Sequence, residues 1–204
     1  MVVPARRRAS AFRRGCAGRR RQVDSAAVDA AWLRAGLAWP IRPLASARAV
    51  LGSGAPGRFA IAWGAIVSIA AGARAGVALD GLFHPGRFAS SALGFVVLPA
   101  LLWLGGRPLG GAGSFRALAA VVVGSTIHFL AADAVAIAAG GWGRALVAVD
   151  ALAWAWAAVL LVVGTAEAQR FSRARALGAL AIAAGLVAAL AAIALAVVGA
   201  FSRS

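Results

Sequence analysis

The chain has 204 residues, 62% of them hydrophobic, and a mean hydropathy of +0.86. A soluble domain of this length cannot hide that much apolar surface, so composition excludes the ordinary globular class and makes the bilayer the solvent. The net charge is +15 although only 13% of residues are charged, and Cys16 is the single cysteine, which excludes an intrachain disulfide and a cysteine metal cluster. Every basic residue is Arg, and Lys, Asn and Tyr are missing throughout. That pattern resembles coding bias in a GC-rich bacterial genome, so Arg in place of Lys carries no functional weight here.

Residues 1–24 form a basic arm in which Arg6, Arg7, Arg8, Arg13, Arg14, Arg19, Arg20 and Arg21 are balanced only by Asp24 at its end. Two readings stand for it. It is a largely disordered tail that touches anionic lipid headgroups, or it is an artefact of an upstream start codon. Phosphate binding to nucleic acid is not expected, because no folded nucleic-acid module accompanies the arm. Residues 25–58 are a juxtamembrane segment with short amphipathic helices. Val28, Trp32, Ala35 and Trp39 share one stripe there, placing residues 25–39 in the membrane interface or in an unstructured leader.

Residues 59–200 read as an all-α membrane bundle of five transmembrane helices, at about 59–79, 89–105, 117–140, 145–166 and 175–200. The second is short for a span and is expected to kink at Pro99. The third is an almost unbroken apolar run that also holds Ser125, Thr126, His128 and Asp133. Thr126 and Asp133 fall on one helical face and His128 on another, so this helix is expected at the centre of the bundle, surrounded by protein. The fifth carries a small-residue stripe, Gly178, Ala181, Gly185, Ala188, Ala192, Ala196 and Gly199, suited to close helix packing. With the N-terminus in the cytoplasm, 17 of the 21 Arg residues fall on the cytoplasmic side. Five spans then put the C-terminus outside.

Few residues offer chemistry. The loop Gly110-Gly111-Ala112-Gly113 lacks the Lys and Ser/Thr of a phosphate loop and reads as a linker. Ser125 and His128 are three apart, but a hydrolase also needs an orienting acid and an oxyanion hole. His84 and His128, with Asp80, Asp133 and Asp150, do not follow the spacing of a metal site. No enzyme activity, cofactor or metal is expected. His128 is expected to hydrogen-bond across helices. Arg74, Asp133 and Asp150 come from three different helices yet reach a similar level, roughly 8–10 Å inside the outer surface at 1.5 Å per residue. Pairing of Arg74 with Asp133 or Asp150 is therefore expected, in an intramembrane polar cluster with His128. Glu167, Arg170, Arg173 and Arg175 form a cytoplasmic surface group, read as a topology determinant or as a lipid or partner contact.

Three segments carry a family resemblance: Leu79-Asp80-Gly81-Leu82-Phe83 after the first span, the run from Gly110 to Arg116 before the third, and the run from Thr165 to Ala176 joining the last two. In order and spacing, from about residue 43 to 200, they resemble the bacterial branch of the Yip1 domain family. The resemblance implies five helices, a cytoplasmic N-terminus and no known catalysis. Eukaryotic members act in vesicle traffic and bind Rab GTPases. Their aspartate-leucine-tyrosine-glycine-proline signature is absent here, so that role is not carried over. The expected function is a non-enzymatic protein of a bacterial inner membrane that organises membrane or binds a membrane-protein partner or a second copy of itself. The alternative is a small transporter or ion- or proton-conducting component using Asp133, Asp150 and His128.

The arginine distribution generates a topology prediction. Reporter fusions after Pro108 and Phe171 should report cytoplasm, and fusions after His84 and at Ser204 the far side. A cytoplasmic signal from the Ser204 fusion would mean a miscounted span.

Overall fold

The computed structural model describes residues 31, 33–79, 83–138 and 144–201. The basic arm, Val28 and Trp32 of the expected interfacial stripe, the Asp80-Gly81-Leu82 part of the first loop motif and the C-terminal Ser204 lie outside the described residues. All regular structure among the described residues is helical, and five helices are long and apolar enough to cross a membrane. The protein is a multi-pass membrane protein. The near side is the one that carries the juxtamembrane helix Pro43–Gly52; the far side is opposite.

The first span is Pro56–Ala78 and the second Pro85–Gly106, the latter continued by a 3-10 turn, Arg107–Leu109. The second span is not short. Its helix starts four residues before the expected position because Pro85 sits at the first helical turn, where its missing N–H is no loss. The His84 ring Nδ1 accepts from the Arg87 N–H at 3.1 Å, satisfying a donor of that first turn. Pro85 and Gly86, which precede the expected span, are thus the start of its helix. The assigned helix runs through Pro99, which is buried. Gly110 ends the 3-10 turn with φ +82°, the left-handed conformation glycine adopts without a Cβ penalty.

The third span is not one uninterrupted helix. It consists of Phe115–Gly124 and Phe129–Ala138 with tight turns between. The Ser125 hydroxyl donates to the Val122 carbonyl at 2.7 Å and the Thr126 hydroxyl to that of Val123 at 2.8 Å. Backbone N–H groups of Thr126, Phe129, Leu130 and Ala131 bond three residues back rather than four. Adjacent hydroxyls that return to their own backbone compete with the α-ladder and tighten the turn. The first half, capped by Ser114 accepting from Ala117 N–H, is the most buried stretch among the described residues and packs on the first, second and fourth spans. The polar residues behind the expectation of a central helix, Thr126, His128 and Asp133, lie instead in and beyond the break, and the second half buries only Asp133 and Ala136.

The fourth span is Arg144–Gln169 and the fifth Arg173–Phe201. The fifth packs on the second and fourth through Ala176, Ala179 and Ala183, with Gly105 brought against the Ala179 carbonyl oxygen. Ala181, Gly185, Ala188 and Ala192 of the expected stripe are exposed instead. In a helix this rich in alanine several faces are equally small, and Gly105 of the second span selects among them.

Residues 33–38 are helical and end at Trp39, which is fully buried rather than lying at the interface. Trp39 stacks on Phe59 at 5.7 Å, and its ring fills the space above Gly124 that any side chain there would occupy. The Trp156 indole N–H donates to the Pro40 carbonyl at 3.1 Å, fastening this turn to the fourth span.

At the near side, Gln169 is 1% exposed. Its Oε1 accepts from the Gly113 N–H at 3.0 Å, and its Nε2 donates to the Leu102 carbonyl at 3.3 Å. The Gly110–Gly113 loop closes around it. A Cβ at Gly113 would meet the Ala168 carbonyl oxygen at 2.7 Å, whereas one at Gly185 meets nothing within 4 Å. Gly113→Ala is therefore expected to cost about 1–3 kcal/mol of stability, and Gly185→Ala is expected to leave it unchanged or slightly raised. Unfolding of both variants in detergent checks this; equal effects would remove the steric role assigned to Gly113.

Candidate intramembrane site

Arg74 lies four residues before the end of the first span, Asp133 five before the end of the third, and Asp150 six after the start of the fourth. At 1.5 Å per residue these positions are ~6–9 Å below the far-side helix ends. The structure brings all three together. Arg74 Nη1 donates to Asp133 Oδ1 at 2.9 Å and to Asp150 Oδ1 at 3.0 Å, while Nη2 donates to Asp150 Oδ2 at 2.5 Å. The guanidinium fork thus grips Asp150 with two nitrogens and reaches Asp133 with one. The side chains are 10%, 7% and 15% exposed for Arg74, Asp133 and Asp150, so the cluster belongs to the bundle interior. An ionisable group at such a depth is costly unless paired, and charge-assisted bonds of this geometry are the strong kind.

His128 is not in this cluster. Its Nε2 is 2.8 Å from the Ala153 carbonyl of the fourth span, and its ring stacks on Phe129 at 4.6 Å. Ser125 directs its hydroxyl to Val122, so the Ser125–His128 pair is not assembled. Among the described residues no group of three His, Cys, Asp or Glu could hold a metal ion.

The near-side group is divided. Glu167 accepts from Arg48 Nε of the juxtamembrane helix at 2.7 Å. That hydrogen bond, and then the carboxylate charge, raise the Arg48 pKa further above its usual value. Arg48 is 63% exposed, so the pair adds little stability. Arg170, with φ 58°, stands at the turn that ends the fourth span, and it, Arg173 and Arg175 are exposed.

A cavity of about 700 Å³ opens beside the Arg74 cluster, walled by the first four spans. Arg74, Asp133 and Asp150 line its far-side end together with Arg87 and Ser90 of the second span; Phe95, Leu98 and Val122 line its inner end. Sequence reasoning missed Arg48, Arg87, Trp154 and Gln169 as functional positions. For Gln169 a signal existed: a long amide side chain at a helix end, in a chain whose nearby loop is mostly glycine. No family model matches the chain, and neither a curated protein nor a solved structure is found to be similar to it.

The geometry orders the variants. Arg74→Ala strands two carboxylates and is expected to be the most destabilising, by about 3–5 kcal/mol. Asp150→Ala should follow, and Asp133→Ala, which removes one bond, should be mildest. Arg74→Ala/Asp150→Ala should lose less than the sum of its singles. Unfolding in detergent measures the cycle, and simple additivity would dissolve the cluster as an energetic unit.

Proposed function

We propose that this chain is a non-enzymatic, Yip1-like protein of a bacterial inner membrane, with its N-terminus in the cytoplasm and its C-terminus outside. It serves as a membrane-organising or partner-holding module whose bundle offers a resting place for a ligand, not a path across the membrane. The observation that carries this reading is how its polar groups are engaged. Arg74 is held by two carboxylates from two other helices, and Gln169 is enclosed by the glycine loop. His128 is bonded across to the fourth span. These groups tie helices together. Two of the segments that carry the family resemblance, the glycine loop and the linker of the last two spans, also touch one another through Gln169. The arginine excess on the near side supports the orientation. The exposed Arg170, Arg173 and Arg175 suit contact with anionic headgroups or with a partner there.

The second reading, an ion- or proton-conducting component, is favoured by one observation: Asp133 and Asp150 face a cavity. Reconstituted liposomes with an internal pH dye, under an imposed potential, separate the two. Proton flux no greater than that of the Asp133→Asn variant is expected. Strong flux that Asp133→Asn abolishes would overturn the first reading in favour of the second.

A further inference from the structure

A second opening lies on the first span, where the second and third spans pack against it. It is a groove of about 410 Å³ that begins beside Gly57 and Arg116, at the near-side ends of the first and third spans. From there it follows the first span past Gly64 to Ser68, roughly 17 Å at 1.5 Å per residue. Half of a hydrocarbon core about 30 Å thick is about 15 Å, so the groove covers the depth of one leaflet. Ile61, Ala65 and Val96 line it and are exposed, which opens it to the bilayer. Spread over that length, its volume makes a strip ~24 Å² in section, against ~80 Å² for a helix 10 Å across. A single hydrocarbon chain fits such a strip, and another helix does not.

The two ends of the groove differ in chemistry. Ser68, the polar side chain at the inner end, is buried and donates to Ser91 at 3.4 Å. Charge stands at the near end alone. Arg116 lies across Gly57, its Cδ 3.5 Å from where a Cβ there would stand, and Arg58 follows Gly57 in the same turn. No acid is among the residues that line the groove. Neither arginine makes an ion pair or a side-chain hydrogen bond with a described residue, and the near-side acid among the described residues, Glu167, is taken by Arg48. The first and third spans both begin here, so their first turns add positive potential to that of the side chains. A strip this wide facing lipid is filled by lipid, because its lining otherwise forfeits its contacts. The arginines decide which lipid. A neutral headgroup leaves them to water, and the cationic group of a zwitterionic headgroup opposes them.

We infer that this groove holds one anionic phospholipid of the near-side leaflet, its phosphate accepting from the Arg116 guanidinium and one acyl chain lying along Gly64 and Phe95 toward Ser68. A guanidinium suits the phosphate because its planar fork donates through two nitrogens at once. Small residues keep the strip open for the chain: Gly64 has no side chain to fill it, and Ala65 has only a methyl group. On the orientation proposed above, the near side faces the leaflet whose surface potential is negative. The groove and its arginines do not depend on that orientation, nor on the far-side cavity holding a ligand.

The experiment uses the full chain in a neutral maltoside detergent and counts bound lipid by native mass spectrometry, with dioleoyl phosphatidylglycerol and dioleoyl phosphatidylcholine as chain-matched probes. The first phosphatidylglycerol should bind on the order of tenfold tighter than the first phosphatidylcholine, equivalent to ~1.4 kcal/mol. Arg116 is exposed, so Arg116→Gln should fold, and it should remove most of that preference. The triple variant Arg170→Gln/Arg173→Gln/Arg175→Gln, which removes exposed near-side arginines outside the groove, should keep it. Every variant retains the basic arm, so lipid held by the arm cancels in the comparison. Ala65→Phe, an exposed position within the groove, should weaken both lipids and leave their ratio unchanged. Equal affinity of wild type for the two lipids would overturn the inference. So would a preference that survives Arg116→Gln and disappears in the triple variant, which would move the anionic contact to the loop between the last two spans. Unaltered binding to Ala65→Phe would refute the placement of the acyl chain. A dimer that Ala65→Phe dissociates, with no lipid retained, would overturn the inference in favour of a second copy of the chain.

Discussion

The bundle depends on one side chain. Arg74 reaches from the first span to carboxylates on the third and the fourth, so one side chain joins three spans. Hydrocarbon gives helices no hydrophobic reason to associate, so packing, hydrogen bonds and charge must hold them. A charged fork at this depth does so with direction. It fixes which faces of three helices meet, because a rotation of any one by a single residue, about 100°, would carry its charge toward lipid. Specificity follows from that penalty more than from the energy of the pair itself, since ion pairs taken out of water return only part of their desolvation cost.

The near end is tied by different chemistry. Gln169 is neutral, so its burial carries no charge penalty, and it needs donors and acceptors only from backbone close at hand. Glycines provide that closeness. The loop at Gly111 and Gly113 and the helix end at Gly106 approach the amide where side chains would collide with it. The glycine run that looks like a flexible linker in sequence is thus a close-fitting cover. Trp39 repeats the principle one layer deeper, its ring seated on Gly124.

How much of this is legible in sequence depends on the range of the interaction. Spans are legible because hydropathy sums over some twenty residues and tolerates local error. The meeting of Arg74, Asp133 and Asp150 is legible because depth is arithmetic on helix rise, and buried charge leaves few alternatives. The break at Ser125–His128 is not, since hydropathy does not register a hydroxyl that bends back to Val122 or Val123. The start of the second span is misread because Pro85 and Gly86 have two uses, and only the neighbouring His84 ring chooses between them. The role of Gln169 is hinted at by a long amide at a helix end beside a glycine loop, but its partners, Leu102 and Gly113, are brought to it only by folding. The packing face of the fifth span is undetermined for the opposite reason, too many equivalent small faces.

The two ties together explain why a cavity exists where it does. The far-side clamp joins the first, third and fourth spans and omits the second. The near-side clamp joins the second span, through Leu102, to the glycine loop and the end of the fourth. The second span is therefore held firmly at its near end. Toward the far side it leans on the first, where Ser68 and Ser91 are 3.4 Å apart, but makes no extended contact with the second half of the third span or with the fourth. The fifth span does not close the gap: it is fixed near Gly105, and its residues 184–190 are exposed. A wedge opens toward the far side, with the Arg74, Asp133 and Asp150 cluster on one wall and Arg87 on the other. The cavity follows from the distribution of polar ties, so it persists as long as those ties hold and no larger side chain fills it. Its polar end belongs to the same ties: the clamp that shapes the bundle also lines the cavity.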